Sequence, residues 1–406
     1  MNGCHRFLLR GIWGVDDAFA GRDLAIVIDR DSGEVCWVGG GDESPPWSIE
    51  ERLGGASHHL AAGLIDLHVH GASGHDFADA TREAFDAICQ AHARHGTTAL
   101  VATVLASSPE TTLRAIDVAR QVMGRAAGYG ARVLGINLEG PFLSQERAGA
   151  QPREHLRSPD LLWVDEVIDA SAGTLRVMTV APELPGALAI CERLVAAGVA
   201  VSMGHSAATY AEALRGIDAG CSLGTHTFNA MRGLHHREPG LAGAVLVRDE
   251  LFAEVIADGH HVAPPVIELL WRLKGARASS GEGGGKLVLI TDCTAALEAP
   301  EGGARLGRQV VRVEGGAVRL PDGTLAGSAL TMERAVANVA RFSGASLAAA
   351  HGAASRTPAA FLGPKTPLGR PEIGAPGDFL IYDPAGDLEE VFVAGIPQRV
   401  PLSEEF

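Results

Sequence analysis

The chain has 406 residues, 46% of them hydrophobic and 20% charged, the balance of a folded protein with one or two cores rather than of a disordered one. A formal net charge of −15 with no basic stripe excludes a nucleic-acid partner, and no apolar run approaches the roughly 18 residues that a membrane span needs. Six cysteines (Cys4, Cys36, Cys89, Cys191, Cys221, Cys293) without paired spacing, and a start from Met1 to Gly14 without a signal-peptide layout, lead to the expectation of a soluble cytoplasmic protein with free thiols.

The first predicted elements are two strands, Leu24–Ile28 and Glu34–Val38, turned as a β-hairpin at Asp31-Ser32-Gly33. A loop rich in Gly, Ser and Pro follows from Gly39 to Ser48. At the far end, Gly377–Asp383 and Glu389–Gly395 read as strands again. Two β-rich ends around a middle of different character predict a small β-sandwich domain built from residues 1–62 and 370–406.

The middle, residues 63–369, alternates strand and helix signals. Predicted strands are Leu64–His68, Thr97–Thr103, Arg132–Leu138, Leu175–Val180, Val199–Gly204, Cys221–Thr225, Phe252–Ala257 and Leu287–Thr291. Between them the stretches Thr81–His95, Pro109–Met123, Ser158–Ala170, Gly186–Ala197 and Ala207–Ala219 carry apolar residues at three-to-four spacing and predict helices. Strands alternating with helices predict an α/β fold, a (β/α)8 TIM-like barrel whose chemistry sits at the carboxyl ends of its strands.

Polar ligand types stand at those ends. The first strand closes on His68-Val69-His70, and alternation along a strand puts both imidazoles on one face. The third ends in Glu139, the fifth in Gly204-His205, the sixth in Thr225-His226 and the eighth in Thr291-Asp292. Each alone reads as a cap or a satisfied polar residue, but jointly they describe a metal site, because imidazole and carboxylate groups on one barrel mouth are ligands for a divalent ion. Elsewhere His92 and His95, in the last turn of a predicted helix, complement its negative end. His235, His236 and His260 border the pocket. Gly281–Gly285 reads as a surface insertion, and Gln309–Val313 with Ala317–Leu320 as a hairpin turned at Gly315-Gly316.

The motifs Leu138-Glu139-Gly140-Pro141-Phe142, Met203-Gly204-His205-Ser206, Thr225–Met231, Arg237–Gly243, Ala257–Val262 and Leu325–Met332 closely resemble those of N-acetylglucosamine-6-phosphate deacetylases of the amidohydrolase superfamily. The resemblance implies that Glu139, His205 and His226 hold the main divalent ion, Zn2+ first, with Fe2+, Co2+ or Mn2+ as alternatives. With His68 and His70 retained, it implies a second ion with Glu139 bridging, and Asp292 as the catalytic acid and base. It implies further that Asn229 and Ala230, Arg237 and His261 hold a sugar phosphate, that Ala150, Leu330 and Met332 line the substrate pocket, and that the protein is a homodimer. One departure stands out: Gln151 follows Gly149-Ala150 where the family carries a substrate-contacting histidine, so Gln151 is expected to take the substrate contact and tune specificity while hydrolysis is retained. Glutamine donates and accepts hydrogen bonds but carries no proton charge. The acyl group and the sugar, glucosamine or galactosamine, therefore stay open, as does an amidohydrolase acting on another N-acyl compound. A catalytically dead metal-binding scaffold is disfavoured by the presence of Asp292 with the full ligand set.

Overall fold

A computed structural model describes residues 6–14, 21–123, 130–275, 285–300, 304–363, 368 and 370–400. Eight parallel strands, each beside the next in sequence, form the barrel: Leu64–Val69, Thr97–Leu105, Arg132–Glu139, Leu175–Val180, Ala200–Met203, Leu223–Gly224, Phe252–Ile256 and Leu287–Ile290. All residues of the first two are buried, as strands covered on both faces require. The ring closes past the strand tips, where Asp292 N–H donates to the His68 carbonyl at 2.9 Å and His70 N–H to the Cys293 carbonyl at 2.8 Å. The first and eighth strands are thus stitched together at His68, His70 and Asp292, three of the residues the sequence singles out.

The sixth strand is shorter than its sequence suggests. Past Gly224 the chain turns inward, and Thr227 N–H reaches the Glu254 carbonyl of the neighbouring strand at 2.9 Å. Helices begin where capping residues stand: Thr81 accepts from Ala84 N–H, Asp160 from Leu162 and Trp163 N–H, and Thr209 forms a reciprocal capping box with Glu212. After the eighth strand the predicted single hairpin is two. Arg305–Leu306 pairs with Gln309–Val310, and Arg312–Glu314 pairs with Ala317–Arg319 across Gly315 and Gly316, both at positive φ. The predicted insertion at Gly281–Gly285 lies, apart from Gly285, outside the described residues.

The two ends of the chain form one seven-stranded sheet in the order Ile396–Gln398, Leu388–Val393, Phe379–Tyr382, Glu51–Ala62, Arg6–Trp13, Asp23–Asp29, Glu34–Gly40. This sheet folds over on itself. Phe7 and Phe392, on strands that do not pair, bring their rings to 5.3 Å, and Gly377 N–H donates to the Gly33 carbonyl at 2.8 Å. Both phenylalanines are at most 2% exposed, so cutting either to alanine removes a packed ring at about 3–5 kcal/mol. Glu51–Ala62 runs through Gly63 straight into the first barrel strand. A Cβ at Gly63 would stand 2.0 Å from Thr98 Oγ1 on the second barrel strand, so glycine lets the link pass close beside that strand. Among the described residues no helix is long and apolar enough to cross a membrane.

Candidate metal centre and active site

Six side chains from five strand ends meet at one mouth of the barrel. Glu139, the last residue of the third strand, stands in the middle. Its Oε1 lies 2.9 Å from His205 Nε2, 3.0 Å from His226 Nε2 and 3.7 Å from His68 Nε2, and its Oε2 lies 3.4 Å from His70 Nε2. Asp292 Oδ1 lies 3.1 Å from His70 Nε2 and 3.6 Å from His68 Nε2. The backbone supplies the aim. His205, His226 and Asp292 take left-handed φ values of 45°, 28° and 49°, which swing them off their strands. Such conformations cost about 1–3 kcal/mol each in non-glycine residues and persist where surrounding structure enforces them.

The donor set asks for a cation. A carbonyl only accepts, so His205 Nδ1, 2.9 Å from the Arg147 carbonyl, carries a proton, and Nε2 points at the Glu139 carboxylate at 2.9 Å. His68 Nδ1, 3.2 Å from Glu254 Oε2, does the same on the other side and leaves its Nε2 facing His70 Nε2 at 3.3 Å. Lone pairs gathered at such distances repel unless protons or a metal ion stand between them, and imidazoles oriented by a carboxylate or carbonyl are the usual surroundings of a metal. Two groups of ligand atoms, each within 4.8 Å of one another, could hold an ion: His68, His70 and Glu139, and Glu139, His205 and His226. Glu139 belongs to both.

Charge reports the same crowding. Burial opposes ionisation of all these groups. Against it, His205 and His68 hold the Glu139 carboxyl well below the usual range, and Glu139 raises His68 well above its ordinary value. Hydrogen bonds to Asp292 and Glu139 push His70 up to about 9 despite its burial. Asp292 is likewise buried, and the His70 hydrogen bond with the His68 charge keeps it below its ordinary value.

The metal-side residues His70, Glu139, His205, His226 and Asp292 form the floor of a cleft of about 270 Å³, with Ala150, Gln151, Asn229, Ala230 and His261 in its walls. A neighbouring cavity of about 430 Å³ shares Leu105 with it. Gln151 is 4% exposed and held at both ends of its amide: Nε2 donates to Glu139 Oε2 at 2.5 Å and Oε1 accepts from Ala106 N–H at 3.0 Å. His261 Nδ1 binds Asp258 Oδ2 at 2.7 Å. Three predicted residues stand elsewhere. Arg237 is exposed, with its Nη1 2.8 Å from His236 Nε2, and it is not among the residues lining the cleft. Leu330 and Met332 are packed into the main core, while Leu325 and Gly327 beside them reach the cleft.

Residues 60–402 match the family model for the amidohydrolase family. The chain belongs to this family. Among its amidohydrolase relatives, N-acetylglucosamine-6-phosphate deacetylase from Vibrio furnissii is 37% identical over 337 residues, 83% of this chain and 82% of that protein. N-acetylgalactosamine-6-phosphate deacetylase from Escherichia coli O157:H7 is 36% identical over 353 residues, 87% and 90% of the two chains. The structure of a mutant N-acetyl-D-glucosamine-6-phosphate deacetylase from Mycobacterium smegmatis, in complex with N-acetyl-D-glucosamine-6-phosphate, superposes with a TM-score of 0.85 at 35% identity, covering 98% of this chain and 100% of that one.

Two contributors to this amidohydrolase centre escape sequence reasoning. Glu254, 1% exposed in the middle of the seventh strand, offers one oxygen to both His68 Nδ1 and, at 3.1 Å, the His226 N–H. Asp66, fully buried, accepts from His68 N–H and, at 2.5 Å, from Thr291 Oγ1; burial lifts its carboxyl to about 7 in spite of these bonds. The only sequence signal for either is an acid inside an apolar strand. The expectation for His92 is also corrected. It is buried, its Nε2 donates to the Gly71 carbonyl at 3.1 Å, and burial pushes its pKa down to about 4, so it carries no charge to the helix end at neutral pH. His95, between Glu298 and Glu333, does carry one: their hydrogen bonds overcome burial and raise it to about 9.

Proposed function

We propose that this chain hydrolyses the acetamide of an N-acetylated amino sugar phosphate, N-acetylglucosamine-6-phosphate first, releasing acetate and the free amine. One observation carries the reading: a single carboxylate, Glu139, joins two metal-ligand groups on the floor of a cleft into which Asp292 faces. His68, His70, Glu139, His205 and His226 would hold one or two divalent ions, Zn2+ first, which when bound would supply Lewis acidity to bring the pKa of water towards about 7 and to polarise an acyl carbonyl. His205 and His226, serving as ligands, keep no free lone pair for proton transfer. Asp292 is the acidic group left beside the reacting centre. It accepts the proton of the attacking water and returns it to the amine nitrogen as the C–N bond breaks. His261, with Nδ1 committed to Asp258, keeps Nε2 for the sugar phosphate, and the Asn229-Ala230 turn lines the same wall. Arg237, exposed outside the cleft lining, is the family's expected phosphate ligand, its planar guanidinium suited to two charge-assisted hydrogen bonds.

The family resemblance favours a homodimer, and the buried free thiols Cys89, Cys191, Cys221 and Cys293 fit a reducing cytoplasm. The galactosamine epimer is the second reading, favoured by a relative named for that substrate at an identity within one percentage point of the glucosamine one. Acetate release is measured on both 6-phosphates and on free N-acetylglucosamine, with zinc added. The expected result is fast turnover of at least one phosphate and none of the free sugar; equal rates on all three remove the phosphate from the proposal.

A further inference from the structure

Gln151 presents an amide whose orientation is decided by its neighbours. Ala106 N–H can only donate, so the side-chain oxygen must face it, at 3.0 Å. The side-chain NH2 is then forced onto Glu139 Oε2, which as a carboxylate oxygen can only accept, at 2.5 Å. Neither partner tolerates the flipped amide. Gln151 is 4% exposed, and the amide is anchored at one end to backbone just past the second strand and at the other to the carboxylate shared by both ligand groups. The pair is close in sequence, 12 residues apart, and the loop between them is tied to the fifth strand end by Ser144 N–H donating to the His205 carbonyl at 2.9 Å. The anchored oxygen is Oε2, the one nearer His70, whereas Oε1 faces His205 and His226. A hydrogen bond there fixes the rotation of the carboxylate and so the direction in which Oε2 offers its remaining lone pair towards His70, 3.4 Å away.

We propose that Gln151 is a positioning residue for the metal centre: its clamp on Glu139 Oε2 holds the carboxylate in the bridging orientation and thereby sets the affinity of the ion shared with His68 and His70. This rests on the two-ion reading above. Hydrogen-bond partners of metal ligands typically change affinity by about 10–100-fold.

The test titrates zinc into chelator-stripped full-length protein by calorimetry, with stoichiometry checked by elemental analysis, for wild type, Gln151→Met and Gln151→Asn. Methionine keeps the length without hydrogen bonds; asparagine keeps the amide but cannot span both partners, and thermal unfolding of each variant reports folding. Expected are two ions in wild type and, in both variants, a loss of about 10–100-fold in the weaker ion's affinity, with the tighter ion within about threefold of wild type. KM for the sugar phosphate at saturating zinc stays within about threefold of wild type. Two ions bound by the variants with wild-type affinities overturn the clamp and leave the two-ion reading standing. A single ion in wild type overturns both. A raised KM with unchanged metal binding makes Gln151 a substrate contact instead, and equal weakening of both ions with a lowered melting temperature reduces it to a structural role; either result overturns the proposal.

Discussion

Replacing Glu254 by leucine is expected to damage both stability and metal affinity, for reasons that can be separated. The carboxylate is 1% exposed, and its Oε2 accepts from His226 N–H at 3.1 Å and faces His68 Nδ1 at 3.2 Å. Leucine leaves two buried donors without an acceptor, and at about 1–3 kcal/mol per unsatisfied group the expected loss is about 2–6 kcal/mol. His68 can relieve its share only by moving its proton from Nδ1 to Nε2, the nitrogen that faces His70 and Glu139, where a protonated nitrogen no longer ligates. The zinc affinity of the His68 side therefore falls by about 10–100-fold by either route. Glu254→Gln, whose amide oxygen can take the place of Oε2 and accept from both donors, is expected to lose less than Glu254→Leu. Urea unfolding measures the first quantity, and calorimetric zinc titration of stripped protein the second. Wild-type zinc affinity in Glu254→Leu, with a stability change inside the ~0.5 kcal/mol typical of surface substitutions, would refute the claim that this carboxylate orients the centre.

Asp292→Asn should fold and bind zinc yet lose about 10²–10⁴-fold in turnover, the usual share of general acid–base catalysis; acetate release at saturating metal reads it, and a rate within threefold of wild type removes Asp292 from proton transfer. Arg237→Ala should raise KM for the phosphorylated sugar, with kcat little changed; the loss of charge-assisted bonds worth about 1.5–3 kcal/mol corresponds to about 10–150-fold, and an unchanged KM places the phosphate elsewhere. His95 is raised to about 9 in the folded chain from an ordinary value of about 6.5, so its contribution to stability is complete below pH 6.5 and disappears as pH climbs through 9. His92 and His351 are both pushed down to about 4 by burial, so protonation of the unfolded chain destabilises the fold as pH drops from about 6.5 towards 4. Melting curves across pH 4–9 should be flatter above pH 6.5 in His95→Gln than in wild type; parallel curves would contradict the His95 assignment.

Strand periodicity was enough to place His68 and His70 on one face, because alternation is a local property of extended backbone. Eight apolar runs separated by amphipathic stretches likewise imply a closed parallel sheet with its chemistry at the strand ends, and the polar residues at those ends are neighbours in the chain of the strands that present them. Helix starts such as Thr81 and Asp160 are local for the same reason: the cap and the N–H groups it satisfies lie within three residues. What stands opposite a given side chain is a different kind of fact. Glu254 meets His68 across 186 residues, and no window of sequence contains both. Only the closed ring could decide that His92 is neutral while His95, three residues on, is charged, since their difference is the presence of Glu298 and Glu333 beside one and a lone carbonyl beside the other. The inward turns at His205, His226 and Asp292 are of this kind too. Left-handed backbone at a non-glycine residue is locally unfavourable, so it is enforced by packing around the barrel mouth and leaves no mark in the residues that adopt it.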